Sequence, residues 1–162
     1  MKKHRILPAI IAVIGLSFTA IGADVETATT LDKIPAAAAK SIKKHAGNAR
    51  IVKVSQESDG GKIAYEAELK DGSKSSEVSV DASGKLLSVE TVIAISEAPK
   101  AVRAAIEKSA SGGKVEKIER IEEDGTVKYE ALLTNKAGKQ EIEFAANGKV
   151  LNVEKKDAKE KD

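Results

Sequence analysis

Residues 63–69 read Ile-Ala-Tyr-Glu-Ala-Glu-Leu, and residues 127–133 read Val-Lys-Tyr-Glu-Ala-Leu-Leu. In the first, Ile63, Tyr65, Ala67 and Leu69 fall on alternate positions, while Lys62, Glu66, Glu68 and Lys70 take the positions between. Val127, Tyr129, Ala131 and Leu133 repeat the apolar set. A period of two with one apolar and one polar side is the pattern of a half-buried strand. The two stretches stand 64 residues apart, and the shift extends outward from them. Residues 31–90 lie over residues 95–154 without a gap, and 18 of the 60 positions are identical. Pro35 meets Pro99, Ile42 meets Ile106, Gly61 meets Gly125, Gly84-Lys85 meets Gly148-Lys149, and Val89-Glu90 meets Val153-Glu154. A fixed-period match of this kind marks a repeat.

Each repeat begins as a helix. Asp32 and Ser96 are candidate N-caps, and Pro35 and Pro99 suit the first turn, where a missing N–H costs nothing. Ile34, Ala38 and Ile42, then Ala98, Val102 and Ile106, recur at helical spacing. Gly47-Asn48 and Ser111-Gly112-Gly113 supply the stops. The alternation then continues through Val78, Val80, Leu87 and Val89, and through Ile142, Phe144, Leu151 and Val153. Turn pairs such as Asp71-Gly72, Ser83-Gly84 and Asn147-Gly148 divide the strands. A sheet with one apolar face needs a cover, and the helix before it is at hand. The expected fold is α+β: two tandem repeats, each one helix on a four-stranded antiparallel sheet. Thr91, Val92, Ile93, Ala94 and Ile95 join the repeats. They are too apolar for a free linker and are expected to prolong the preceding strand or to pack between the repeats.

Residues 1–23 differ from the rest. Lys2, Lys3, His4 and Arg5 precede a 16-residue apolar run, Ile6–Ile21, and small residues follow at Ala20, Gly22 and Ala23. That is the layout of a secretory signal peptide cut after Gly22 or Ala23, and the run is short of the roughly 20 residues that a spanning helix needs. The expected organisation is a signal peptide at 1–23, an N-terminal segment at 24–30, repeats at 31–91 and 95–154, and a charged disordered tail at 155–162. The mature chain is thus expected in the periplasm or outside the cell, with no stable membrane span.

The whole chain carries 27 basic and 25 acidic residues. Without Lys2, Lys3 and Arg5 the balance is −1, which speaks against a nucleic-acid partner. There is no Cys and no Trp, so thiol catalysis, disulfides and thiolate-bound zinc are excluded.

The order helix, Tyr65-Glu66-Ala67-Glu68-Leu69, Asp71-Gly72, Val78-Ser79-Val80-Asp81 and Gly84-Lys85-Leu86-Leu87 resembles the PepSY-like, β-lactamase-inhibitor-like family. The second repeat keeps Tyr129-Glu130-Ala131-Leu132-Leu133 and Gly148-Lys149-Val150-Leu151, with Ala145 where the first has Asp81. The resemblance implies a non-enzymatic exported domain and supplies no catalytic residues.

Candidate chemistry is sparse. His45, in the last turn of the first helix, has Ser109 as its counterpart and no orienting partner, so a surface His at a helix C-terminus is the simpler account. Glu57 with Asp59, and Glu122-Glu123-Asp124, gather oxygen ligands at hairpins but lack the spacing of a calcium loop. Tyr65 and Tyr129 belong to the apolar face and are read as core. The remaining candidate is the polar sheet face: Glu66, Glu68, Glu77, Lys70, Glu130, Glu141 and Lys128, with Glu143 and Lys62 beside them.

No cofactor and no metal are expected. The expected function is a non-catalytic binding module of the cell envelope, inhibitor-like or regulatory, for a protein or peptide partner. With no Trp, two core tyrosines and few arginines, binding is expected to be weak or electrostatic. The alternative is a structural or sensory periplasmic protein without inhibitory activity.

Overall fold

The computed structural model describes residues 25–59 and 61–156; the signal-peptide expectation lies outside them. A short strand β1 (Val25–Thr29) precedes helix α1 (Ala36–Ala46) and strands β2 (Arg50–Asp59), β3 (Lys62–Asp71), β4 (Lys74–Asp81) and β5 (Leu86–Val92). A 3-10 turn (Ile95–Glu97) leads into helix α2 (Lys100–Ala110). Strands β6 (Lys114–Glu123), β7 (Thr126–Asn135), β8 (Gly138–Ala145) and β9 (Val150–Lys155) follow.

The strands form one antiparallel sheet in the order β1-β2-β3-β4-β5-β6-β7-β8-β9. This corrects the expected fold. Among the described residues there are not two tandem units of a helix on its own four-stranded sheet, but a single nine-stranded sheet with two helices. The reason lies in β5, which runs on through Thr91 and Val92. From Ser88 to Val92 it pairs with β6, Glu90 opposite Ile121, Thr91 opposite Arg120 and Val92 opposite Glu119. An apolar strand end with free N–H and C=O groups is best satisfied by another strand. The Ile93 N–H continues the ladder to the Ile118 carbonyl at 2.9 Å.

Both helices lie on one face of the sheet, α1 against β3 and β4, α2 against β6, β7 and β8. Ala38, Ala39, Ile42 and Ala46 of α1 pack with Val54, Tyr65, Ala67, Leu69, Val78 and Val80. Val102, Ile106 and Ala110 of α2 pack with Ile118, Tyr129, Ala131, Leu133, Ile142 and Phe144. Small residues on the helices let them approach closely. Gly84 and Gly148 fix their height: a Cβ there would stand 2.6 Å from the Ala37 carbonyl oxygen and 2.5 Å from that of Ala101, and both glycines have positive φ.

Two local expectations are corrected. The residues at the N-caps are Pro35 and Pro99, not Asp32 and Ser96. Proline at this position confines the preceding chain to extended backbone, so each helix starts later. Ile63 is 45% exposed. It stands opposite Ser58, two residues from the start of the β2–β3 turn, and has no place in the cluster under α1. Val127 is half-buried against the second cluster. At the C-terminal end Lys155 closes β9.

Candidate functional site

The face opposite the helices is where the charged residues gather. Cross-strand registers lay them out in rows. One row runs Lys53, Glu68, Glu77, Glu90, Ile121, Lys128, Ala145 across β2 to β8. The next runs Ser55, Glu66, Ser79, Ser88, Glu123. In β6 to β8, Glu119, Glu130 and Glu143 lie side by side, and Glu141 stands opposite Leu132.

The rows are compensated unequally. In β6 to β9 the inner cations are paired with carboxylates, two of them with two each. The buried Lys128 Nζ stands 2.9 Å from Glu123 and 2.9 Å from Glu143. Lys156 lies 2.7 Å from Glu141 and 3.5 Å from Glu154. Lys117 lies 2.8 Å from Glu119. Burial works against the charge on Lys128 and Lys156, but their glutamate partners outweigh it and raise both pKa values. In β1 to β3, Lys53 takes Glu26 at 2.8 Å and Glu68 at 3.3 Å. Between these groups, Glu66, Glu77 and Glu90 take part in no ion pair among the described residues.

The consequence is electrostatic. Burial, then the charges of Glu77 and Glu57, pushes Glu66 up to about 10; Glu57 is also its hydrogen-bond partner. Burial and then a hydrogen bond with Glu141 push Glu130 up to about 10. Burial, then the charge of Glu119, raises Glu77 to about 7. Burial, then Glu77 and Glu119, raises Glu90 to about 8, against the opposing charge of Lys117. Like charges held together in a partly dry site keep protons that free glutamates would lose. Glu119 belongs to β6, so the group spans the junction that makes the sheet one piece.

Of the expected residues, the structure brings Glu66, Glu68, Glu77, Glu130, Glu141 and Lys128 onto this face. Lys70 stands apart at its rim, where its Nζ donates to the Ser75 hydroxyl at 2.7 Å. Glu90, Glu119, Lys117 and Lys156 escaped the sequence pattern. Glu90 follows from carrying the alternation of Leu86–Val92 one step further. Glu119 sits in a strand, Lys114–Glu123, so rich in charge that no face stands out. The second hairpin's carboxylates are each taken by a cation, Glu122 by Arg120, Glu123 by Lys128 and Asp124 by Lys85, and in the first Glu57 turns to Glu66 on the polar face. Among the described residues no group of three or more His, Asp or Glu side chains is arranged to hold a metal ion. His45 is exposed.

Comparison with known proteins places the fold. The family model described as "Putative beta-lactamase-inhibitor-like, PepSY-like" matches residues 18–88, 63–152 and 127–159. Among curated proteins the chain has no match. A solved DUF2874 family protein from Bacteroides ovatus is 16% identical with a TM-score of 0.62, over 76% of this chain and 88% of that one. A BLIP-like protein from Bacteroides fragilis is 22% identical with a TM-score of 0.59, over 75% and 85%. A protein from Bacteroides eggerthii described as "putative periplasmic" is 18% identical with a TM-score of 0.63, over 75% and 88%. At these identities the likeness is one of fold.

Proposed function

The chain belongs to the beta-lactamase-inhibitor-like, PepSY-like family, and on that footing we propose that it is an exported, non-catalytic module that binds a cationic protein or peptide through its polar sheet face. The observation that supports this is the group Glu66, Glu77 and Glu90, packed together on β3 to β5 with no ion pair to any of them among the described residues; the charge of Lys117 opposes theirs only at Glu90, and is outweighed there. Partly buried carboxylates without counter-charges are costly when ionised. A Lys or Arg supplied by a partner would give them one, and such charge pairing sets specificity and association rate. The family description supports an inhibitor-like role over a catalytic one. The layout of residues 1–23 and the description of the Bacteroides eggerthii protein support a periplasmic setting. No helix of the described residues is long and apolar enough to cross a membrane.

A cation docking there lowers the carboxyl pKa values, so binding near pH 7 releases protons. The test is affinity capture from an envelope extract with the unmodified protein and with a Glu66→Gln/Glu77→Gln/Glu90→Gln variant. A partner held by the unmodified protein, released by salt and lost by the variant is expected. Its titration in buffers of different ionisation enthalpy should show proton release. Equal capture by both proteins contradicts the proposal.

A further inference from the structure

The two edges of the sheet are related in a way that the repeat of residues 31–90 does not reveal. β1 lies on β2 with Val25 opposite Ser58, Glu26 opposite Glu57, Thr27 opposite Gln56 and Ala28 opposite Ser55. Add 64 to each number and the register of β5 on β6 appears: Val89 opposite Glu122, Glu90 opposite Ile121, Thr91 opposite Arg120, Val92 opposite Glu119. On its other side β5 places Thr91, Glu90 and Val89 opposite Ser76, Glu77 and Val78. With the same offset, β9 places Lys155, Glu154 and Val153 opposite Gln140, Glu141 and Ile142. Val-Glu opens all three segments, at 25, 89 and 153. Among the described residues, therefore, β5 uses both edges, β1 only the β2-binding edge and β9 only the β8-binding edge.

The side chains match this incompleteness. Val89 is partly buried against the first core. Its counterpart Val153 is 50% exposed, and Val150 and Leu151 beside it are 44% and 47% exposed. Among the described residues β9 is an apolar edge strand whose outer backbone groups have no partner strand, which is the feature that recruits another strand. β1 is a weak occupant of its own place. It has five residues, Thr27 and Ala28 are exposed, and its described side-chain anchor is the Glu26–Lys53 ion pair.

From these registers we propose that β1 is displaceable, and that the Val153–Lys156 end of β9 from a second copy of this chain takes its place on β2. Val153 then stands opposite Ser58, Glu154 opposite Glu57 and Lys155 opposite Gln56. Glu154 assumes the place of Glu26 beside Lys53. Lys156 assumes the place of Ala28, opposite Ser55. Direct abutment of β9 on a neighbour's β1 would set two equivalent strands side by side in parallel, a pairing that occurs nowhere in this sheet. The exchange joins unlike edges, so it is head-to-tail and adds copy to copy until the rotation between them closes a ring, if it does. It uses the sheet edges and stands independently of the binding proposed for the polar face.

The chain has no cysteine, so engineered thiols report the register without background. Val153→Cys protein and Ser58→Cys protein are mixed and mildly oxidised. A disulfide-linked pair of the two is expected, about tenfold above the homodimers of either alone. Adding Glu26→Lys to the Ser58→Cys protein removes the anchor of β1 and should raise the yield further. Velocity sedimentation of the unmodified protein should show a series of species growing with concentration, shortened by Val153→Lys. A Val153→Cys homodimer as the main product would mean two-fold β9–β9 pairing and overturns the proposal. So does a purely monomeric protein at every concentration, or a yield indifferent to Glu26→Lys.

Discussion

At the scale of single residues, the polar face is governed by protons. Glu77 at about 7 and Glu90 at about 8 are raised above the ordinary glutamate value of 4.5. A carboxyl with a higher pKa folded than unfolded keeps its proton in the native state after the unfolded chain has lost it. Its contribution is therefore most favourable below about pH 4.5 and declines as pH rises through 7 to 8. Asp81, held low by the Ser83 hydroxyl and the Lys85 N–H, works in the opposite sense only below its ordinary 3.8. Urea denaturation is expected to give a higher midpoint at pH 5 than at pH 8.5; the reverse order would count against the protonated cluster. Lys128 is the counterpoint, a buried cation between Glu123 and Glu143. Lys128→Ala strands both carboxylates and is expected to cost about 3 kcal/mol at pH 7, read from the same denaturation curves. The sequence placed Glu66, Glu77 and Lys128 on this face by simple alternation. It assigned Lys156 to a charged tail, whereas Lys156 follows the last strand and reaches Glu141 because β9 delivers it there.

At the scale of elements, the helices sit where the glycine turns let them. Gly84 faces the Ala37 carbonyl of α1 from the β4–β5 turn. Gly84→Ala meets both a left-handed backbone and a backbone oxygen, so a loss of about 2–3 kcal/mol in unfolding free energy is expected. A cost under about 0.5 kcal/mol would mean that α1 moves aside freely. The helical stripe of Ala38 and Ile42, and that of Val102 and Ile106, was legible because burial on one side of a helix imposes its own spacing. The helix starts were not. Asp32 and Ser96 have the chemistry of caps, but Pro35 and Pro99 impose extended backbone just before the first turn. Ile63 misled for a related reason: alternation reports the side of the sheet a residue faces, not whether the helix reaches that far along the strand.

At the scale of the whole molecule, the sequence period of 64 residues suggested separate units, and the sheet ignores the division. Local patterns encode faces, whereas pairing between β5 and β6 depends on backbone groups that carry no residue signature. Continuity has a measurable consequence. Thermal and urea unfolding are expected to show one cooperative transition with coincident probes, because β5 belongs to both clusters' sheet. Two separated transitions would favour independent halves.

Continuity is also what places Glu119 of β6 against Glu77 of β4 and Glu90 of β5, and on it the account of the binding face depends. The most direct test is a carboxyl-carbon NMR titration of Glu77 and Glu90 in the unmodified protein and in Glu119→Gln. The account predicts midpoints of about 7 and about 8, both moving down in the variant as one negative neighbour is removed. Midpoints at the ordinary 4.5, or midpoints that do not respond to Glu119→Gln, would contradict it.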